Sequence, residues 1–258
     1  MKKRQNIGLS ALSIFLCALC VVPFLYVLFN SLRGVQGEFT LRYYYEVFVG
    51  QSQYLLRFWK SVGLSLVIAL GQVAVSSLAG FAFAKYHFPG KHILFFGLMI
   101  LMILPIQVTL MPNFIVLQKF GISDTYAALA LPAIILPLGT FILTQSFRSI
   151  SASVVEAAKI DGCNLLTLLW KVILPMGRNA LICVFLLSFL DAWNMVEQPM
   201  TYLKEFLDYP IAVALASVPP GDPTVLLTAC VLVTLPPLGL FAFFNQELTE
   251  GIALGGEK

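Results

Sequence analysis

The sequence predicts an all-α membrane protein with six transmembrane helices and one folded loop between the fourth and the fifth. Of its 258 residues, 59% are hydrophobic and only 11% are charged. In a soluble domain about a quarter of the residues are charged, because its surface must be hydrated. This composition excludes a disordered chain, a disulfide scaffold and an ordinary cytosolic enzyme. The alternating pattern of a membrane β-barrel is absent, so helices must satisfy the backbone within the bilayer.

Six apolar stretches are each long enough to cross a bilayer, for which a helix needs roughly 20 residues. Four of them contain no Asp, Glu, Lys, Arg or His. The predicted spans are Ile7–Asn30, Ser61–Ala84, His92–Asn113, Tyr126–Phe147, Asn179–Pro199 and Thr224–Asn245. We expect residues 1–258 to form a single transmembrane domain. The first stretch is expected to stay as an anchor, because it is longer than a signal-peptide core and lacks an Ala-x-Ala exit.

The basic residues favour one orientation of these spans. Ten of the 16 Lys and Arg fall on the side of the N-terminus, and six fall on the other side. Cytoplasmic loops carry the excess of basic residues in membrane proteins. Both termini and the loop 148–178 are therefore predicted to be cytoplasmic.

The loop 148–178 contains signals for two short helices at a sharp angle. Ser153 and Glu156 have the spacing of a capping box. In this motif the serine side chain caps the helix, and the glutamate side chain accepts a hydrogen bond from the backbone amide of the serine. Asp161-Gly162 predicts the end of this helix, with the glycine in a left-handed conformation. Asn164 is predicted to cap a second helix over Leu165–Lys171, which Leu174-Pro175 ends.

This helix pair is too apolar to stay uncovered in the cytoplasm. Ala157 and Ala158 are small, and the second helix carries Leu168 among other large apolar side chains. The pair either folds back onto its own bundle or docks in a groove on a cytoplasmic partner, where small residues permit close approach. Glu156 is likewise either a capping carboxylate or a polar contact to that partner.

The loop resembles the EAA loop of permease subunits in binding-protein-dependent ABC importers. The matching residues, at the spacing of that motif, are Glu156-Ala157-Ala158, Gly162 and Leu174-Pro175. Asp161 before the glycine is similar to the carbohydrate class of these permeases. The tail with Gln246, Gly251 and Gly255 resembles that of the smaller permease of the maltose importer.

This resemblance implies a sugar or oligosaccharide import channel in the bacterial cytoplasmic (inner) membrane. Its partners would be two copies of an ATP-binding subunit, a second six-span permease and an extracytoplasmic solute-binding protein, with membrane lipid around the spans. ATP and Mg would be held by the ATPase, since this chain has no G-x-x-x-x-G-K-[ST] phosphate loop. The resemblance assigns ATPase coupling to Glu156, Ala157, Ala158, Asp161, Gly162, Leu168, Leu174 and Pro175.

Asp191 is the one carboxylate well inside a predicted span. A charge there costs roughly 2.5–3.5 kcal/mol on insertion scales, so it is expected to face protein or water. Either it lines the substrate path with Gln107, Trp193 and Asn194, or it pins one helix to another. Glu197 is expected at the membrane interface.

Two alternatives remain open at the level of sequence. An ion-coupled secondary transporter would use Asp191, and a membrane scaffold would have no transport role. With two His, and with most of the five Cys in apolar spans, no metal site and no catalytic residue is predicted. No cofactor on this chain and no nucleic-acid partner are expected.

Overall fold

The structure is a computed structural model that describes residues 2–34, 37–50, 52–216 and 223–253. These residues are mostly helical. They contain no β-strand, and a single isolated bridge joins Arg33 to Phe39. The predicted tail motif reaches Gly255, which lies outside the described residues together with both chain ends.

The helices differ widely in length, from one turn to more than eight turns. In chain order they are α1 (Lys2–Ser31), α2 (Arg42–Tyr45), α3 (Ser52–Lys85), α4 (Lys91–Ile103), α5 (Ile106–Lys119), α6 (Tyr126–Ile134), α7 (Pro137–Ser149), α8 (Ala152–Ile160), α9 (Leu165–Leu168), α10 (Leu174–Met176), α11 (Arg178–Trp193), α12 (Glu197–Tyr202), α13 (Ile211–Ala216) and α14 (Pro223–Ala253). Single turns of π-helix cover Glu46–Gly50 and Leu169–Ile173, and a 3₁₀ turn covers Phe206–Asp208.

Four described helices are long and apolar enough to cross a membrane, or up to six if each of two bent pairs crosses once. The four run over Ser10–Ser31, Tyr54–Lys85, Tyr126–Ser149 and Pro223–Glu247. The first bent pair is α4 with α5, and the second is the segment Leu165–Met176 with α11. The chain is therefore a multi-pass helical protein.

The predicted third span is not one continuous helix. The helix stops at Leu104–Pro105, and α4 and α5 diverge by 108°. Proline lacks an amide proton and disfavours the helical conformation of the preceding residue. Leu104 accordingly has an extended backbone, with ψ at 128°. The span predicted over His92–Asn113 is therefore broken into two helices, which count as one span if the bent pair crosses the membrane once.

The predicted fifth span also ends earlier than expected. Helix α11 stops at Trp193 and Asn194 forms its C-terminal cap, so the residues up to Pro199 do not continue it. The Asn194 side chain donates a hydrogen bond to the Leu190 carbonyl at 2.9 Å, which satisfies a carbonyl near the helix end. Val196 then leaves the helical region before α12 begins.

Helix α3 is at the centre of the bundle and packs against α7 and α11. The approach to α7 is close because glycines lie at the crossing. A Cβ added at Gly80 would lie 3.0 Å from the Cβ of Leu143, and one at Gly139 would lie 2.6 Å from the Oγ of Ser76. Small residues that let backbones approach are typical of helix packing in membranes.

Candidate functional site

A cavity of about 540 Å³ opens between α3, α5, α6, α11 and α12. Its lining is mixed: α6 contributes apolar side chains, whereas α3, α5, α11 and α12 also contribute polar ones. The polar lining residues are Gln72, Thr109, Asn113, Ser188, Asp191, Asn194, Glu197, Gln198 and Tyr202. A concave surface with converging polar groups is the usual form of a small-molecule site.

The four predicted path residues are only partly brought together here. Asp191 and Asn194 line the cavity. Gln107 is outside the lining, but its Nε2 donates a hydrogen bond to Oε1 of Glu197, which does line it, at 2.8 Å. Trp193 is 1% exposed and its ring packs on Phe58 and Phe189, away from the cavity.

Helix geometry explains why Asp191 and Trp193 separate. Two residues apart on an α-helix differ by about 200° around its axis, so they face opposite sides. Residues three apart share a face, and Ser188 and Asp191 form such a stripe toward the cavity, which Asn194 extends at the cap. Trp193 instead donates from its indole nitrogen to the Val233 carbonyl on α14 at 3.2 Å.

Several lining residues escaped the sequence reasoning. Glu197, for which only a position at the membrane interface was predicted, starts α12 and lines the cavity. The polar stripe on α11 was a readable signal for Ser188, whereas Gln72, Thr109 and Asn113 gave none.

Tyr202 ties α12 to α5 at the edge of this cavity. Its ring stacks on Phe114 with 6.4 Å between centroids, and its hydroxyl donates to the Leu110 carbonyl at 3.4 Å. Burial raises the pKa of Tyr202, and a hydrogen bond with Asn113 acts in the opposite direction. The phenol is therefore a neutral group at physiological pH that fixes the cavity wall.

The second candidate site is the helical elbow, which we define as Ala152–Met176. Its turn has the geometry that the sequence predicted. Gly162 has a φ of +80°, and its amide donates to the Lys159 carbonyl at 3.0 Å. The Cys163 amide donates to the Ala158 carbonyl at 3.0 Å, which completes a Schellman motif.

The predicted start of the elbow was wrong by two residues. Ser151 is the N-cap residue of α8, so Ser153 lies in the first helical turn and cannot cap it. The Ser153 hydroxyl instead shares a hydrogen bond of 2.9 Å with the Ser151 hydroxyl. Glu156 is consequently too far along the helix to close a capping box, and its side chain is exposed.

The second arm begins as predicted but continues further. Asn164 accepts a hydrogen bond from the Thr167 amide at 2.8 Å and so caps α9. The arm then passes through a π turn to Met176, although Pro175 was expected to end it earlier. In the π turn the Leu174 amide bonds to the Leu169 carbonyl, so the chain stays helical around the proline.

The elbow has one buried face and one exposed apolar face. The buried face joins a core cluster with Phe81, Leu143 and Phe147 from the bundle; its members on the elbow are Val155, Ala158, Leu168, Leu169 and Ile173. The exposed face includes Ile160, which is 86% exposed, and Trp170, which is 67% exposed. Leu165 and Leu166 extend this face.

The predicted coupling residues divide between these two faces. Ala158 is 8% exposed and Leu168 is 2% exposed, and both pack into the bundle. Leu174 is half-buried against the same cluster. The exposed members are Glu156, Ala157, Asp161, Gly162 and Pro175. The sequence left open whether the helix pair folds back onto its own bundle or offers its apolar side chains to a partner. One face of the elbow packs on the bundle, and the other face is exposed.

Lys85 and Arg148 attach the elbow to the bundle at its entry. The Lys85 ammonium donates to the Ile150 carbonyl at 2.6 Å, directly after α7 ends. The Arg148 guanidinium lies 4.7 Å from the centre of the Phe95 ring on α4. The end of α7 and the residue that follows it, just before the elbow, are therefore held by α3 and α4.

The described residues thus form a multi-pass helical bundle with a polar cavity and an elbow whose outer face is apolar. Residues 72–201, about half of the chain, match the family model of the binding-protein-dependent transport system inner membrane component. The chain belongs to this family, whose members are the permeases of ABC import systems. It is a transporter subunit and not an enzyme.

Individual relatives agree with this assignment. The arabinooligosaccharides transport system permease protein AraQ of Halalkalibacterium halodurans is 30% identical over 85% of this chain and 80% of its own length. The polygalacturonan/rhamnogalacturonan transport system permease protein YtcP of Bacillus subtilis is 27% identical over 93% of each chain. The sn-glycerol-3-phosphate transport system permease protein UgpE of Escherichia coli K12 is 26% identical over 76% of this chain and 73% of its own.

A solved structure shares the fold. A chain of a bacterial ABC transporter involved in the import of the acidic polysaccharide alginate superposes with a TM-score of 0.78. The match covers 95% of this chain and 97% of the other at 22% identity.

Proposed function

We propose that this chain is the permease subunit of an ATP-driven importer for a sugar or an oligosaccharide, and that its elbow couples it to a separate ATPase. In this proposal the chain forms one six-span domain in the bacterial cytoplasmic membrane, with both termini and the elbow in the cytoplasm. It lines half of the translocation path, and a second permease, two ATP-binding subunits and an extracytoplasmic solute-binding protein complete the importer. ATP and Mg bind to the ATPase subunits.

The proposal depends above all on the exposed apolar face of the elbow. Ile160, Leu165, Leu166 and Trp170 cover the outer side of a short segment beyond the end of α7. Exposed apolar surface of this kind marks an interaction site in a soluble environment. A partner that covers these side chains gains the free energy of their burial, about 1.5–3 kcal/mol for each large side chain.

The buried face of the elbow supports the second half of the proposal, the transmission of movement. Because Leu168, Leu169 and Ile173 pack on Phe81 and Phe147, the elbow is fixed to the ends of α3 and α7. Close-packed interiors transmit displacement with little compression. A movement of the ATPase would therefore reach the helices that line the cavity.

The polar cavity supports a sugar as the transported solute. Its carboxylate, amide and hydroxyl groups match the hydroxyl groups of a carbohydrate. The named relatives are permeases for arabinooligosaccharides, for polygalacturonan/rhamnogalacturonan and for sn-glycerol-3-phosphate, so kinship supports the carbohydrate class without fixing the net charge of the solute. An ion-coupled transporter is not favoured, since the relatives are permeases of ABC import systems.

The test places a charge on the exposed face of the elbow. We expect Ile160→Asp to lower the amount of ATPase subunit that co-purifies with the permease at least about tenfold, because an unpaired carboxylate would be buried in an apolar contact. ATP-dependent uptake into proteoliposomes should fall with it. The measurement is quantitative co-purification in detergent, normalised to permease abundance.

Ala152→Asp is the matched control, because it adds the same charge to the same elbow. Ala152 is exposed in the first turn of α8, where a negative charge is compatible with the helix dipole. This variant should retain the ATPase and transport normally. Full retention of ATPase by Ile160→Asp would refute the docking role.

A further inference from the structure

Two of the four amides that line the cavity, Gln72 and Asn194, use their nitrogen atoms to bond backbone carbonyls. Gln72 Nε2 donates to the Leu136 carbonyl at 3.2 Å, and Asn194 Nδ2 donates to the Leu190 carbonyl at 2.9 Å. A carbonyl oxygen only accepts hydrogen bonds, so the amide nitrogen must be the atom that faces it. Each amide therefore turns its own oxygen, an acceptor, away from this partner.

The hydroxyl groups of the cavity are used in the same way. Ser188 donates to the Val184 carbonyl at 2.6 Å, and Thr109 donates to the Ile106 carbonyl at 2.9 Å. A hydroxyl group has one proton, and here it is committed to the helix backbone. What remains for a bound molecule is the lone pairs of the oxygen.

The charges of the lining have a single sign. Asp191 and Glu197 both line the cavity, and no Lys or Arg is among the described residues that line it. Gln107 holds one oxygen of Glu197 from outside the lining, so the orientation of this carboxylate is fixed. The surface that meets a solute is thus rich in hydrogen-bond acceptors and negative in charge.

We infer that the solute carried through this cavity is electrically neutral and rich in hydroxyl groups, and that Asp191 and Glu197 exclude solutes with carboxylate or phosphate groups. This inference rests on the proposed transport function. A neutral sugar offers one donated proton with each hydroxyl group, which the acceptors of the lining can use. A uronate or a phosphate adds negative charge, which no Lys or Arg of the described lining compensates.

The first test measures the charge of the cavity without any assumption about the solute. Thr109→Cys is placed in a variant that lacks the five native cysteines, within the complete importer in proteoliposomes. We compare its reaction rates with a cationic and an anionic methanethiosulfonate reagent. The cationic reagent should react faster, and combining Asp191→Asn with Glu197→Gln should lower the ratio of the rates about tenfold, because the nearby charges are removed.

Glu205→Gln is the matched control, since it removes one carboxylate from an exposed position outside the cavity lining. It should leave the ratio unchanged. An unchanged ratio in the Asp191 and Glu197 double variant would overturn the inference. Equal reaction rates of the cationic and the anionic reagent, in the chain that keeps both carboxylates, would overturn it as well.

The second test uses two trisaccharides that differ in charge. Affinities of neutral arabinotriose and anionic trigalacturonate are measured by calorimetry on the permease–ATPase complex, without the solute-binding protein, so that only the permease selects. We expect arabinotriose to bind at least about tenfold more tightly, and the double variant to narrow this difference. Tighter binding of trigalacturonate to the unmodified complex would contradict the inference. Failure of the proposed function is separate, because it appears as a complex without ATPase or without ATP-dependent uptake of any solute.

Discussion

The two ends of α3 are held to their surroundings by different forces. Its C-terminal end, next to the elbow, is held mainly by apolar packing. Phe81 lies in one cluster with Phe147, Leu169 and Ile173, and Lys85 adds a hydrogen bond to the Ile150 carbonyl. The elbow therefore depends on the shape and volume of its side chains.

The N-terminal end of α3 combines aromatic packing, in which Phe58 contacts Trp193, with several polar contacts that the other end lacks. Arg57 is buried, donates to the Phe206 carbonyl at 3.0 Å, and lies 4.5 Å from the centre of the Phe206 ring. Lys60 pairs with Asp208 at 3.1 Å, and Tyr126 donates to the Asp208 carbonyl at 2.8 Å. These contacts fix the segment that follows α12 to α3 and α6.

This difference bears on the proposed function, in which the elbow receives movement from an ATPase and the cavity admits a solute. Apolar packing acts over short distances, and the folded state is destabilised when a cavity opens in it. The elbow end is therefore expected to move as a rigid body. Polar contacts near the surface can exchange with water and are weakened by salt. If the elbow couples to an ATPase as proposed, the packed end of α3 would transmit movement, and the polar contacts at the opposite end would be the ones that rearrange.

The largest expected effect comes from removing volume at the elbow end. Phe147 is fully buried, and its ring fills the space beside Gly177, at the bend between the elbow and α11. Phe147→Ala should lower the free energy of unfolding by about 3–5 kcal/mol, because it leaves a cavity in a close-packed cluster. Thermal unfolding of the purified complex in detergent measures this change.

Phe120→Ala is the corresponding control at the end of α5. Phe120 is 75% exposed, so its truncation should leave the unfolding temperature nearly unchanged. Equal losses in the two variants would contradict the claim that the elbow depends on packing.

The second expected effect separates two identical turns. Gly162 ends α8 and Gly121 follows α5, both in Schellman motifs with positive φ, and an added Cβ would meet nothing within 4 Å at either position. Gly162→Leu and Gly121→Leu should each introduce roughly 1–2 kcal/mol of backbone strain. Only Gly162→Leu should uncouple ATP hydrolysis from uptake, because only this turn lies in the elbow.

Gly162→Asn tests that strain is the cause, since asparagine tolerates the left-handed conformation. Unlike Gly162→Leu, this variant should keep ATP hydrolysis coupled to uptake when both are assayed at matched membrane abundance. Normal coupling in Gly162→Leu, or equal loss in Gly121→Leu, would argue against a special role for the elbow turn.

These turns also show what a sequence can predict. The glycine at 162 and the asparagine cap at 164 were predicted correctly, because each depends on a few consecutive residues. The apolar composition likewise predicted a helical membrane protein. A local signal can still be misplaced by a turn: Ser151, and not the predicted Ser153, occupies the N-cap position of α8, and its side chain makes no capping hydrogen bond.

Tertiary relations were harder to predict. Pro105 was a visible break signal, but nothing in the sequence gave the 108° between α4 and α5, which depends on packing of both arms. Trp193 was grouped with Asp191 by proximity along the chain, although helix geometry separates them. Glu197 became a cavity residue because α11 ends early and α12 folds back against α5.

The smallest expected effect concerns salt at the polar end. The Lys60–Asp208 pair is partly exposed, so it should contribute less than about 1 kcal/mol, and 1 M NaCl reduces the screening length to about 3 Å. Hydrogen exchange of residues 203–209 should therefore accelerate modestly in high salt, and Lys60→Ala should abolish this salt response. Exchange in the elbow should not change, because apolar contacts are not screened. The contrast would be reversed if salt accelerated exchange more in the elbow than in residues 203–209. The contacts at the elbow end of α3 would then be the ones that depend on charge.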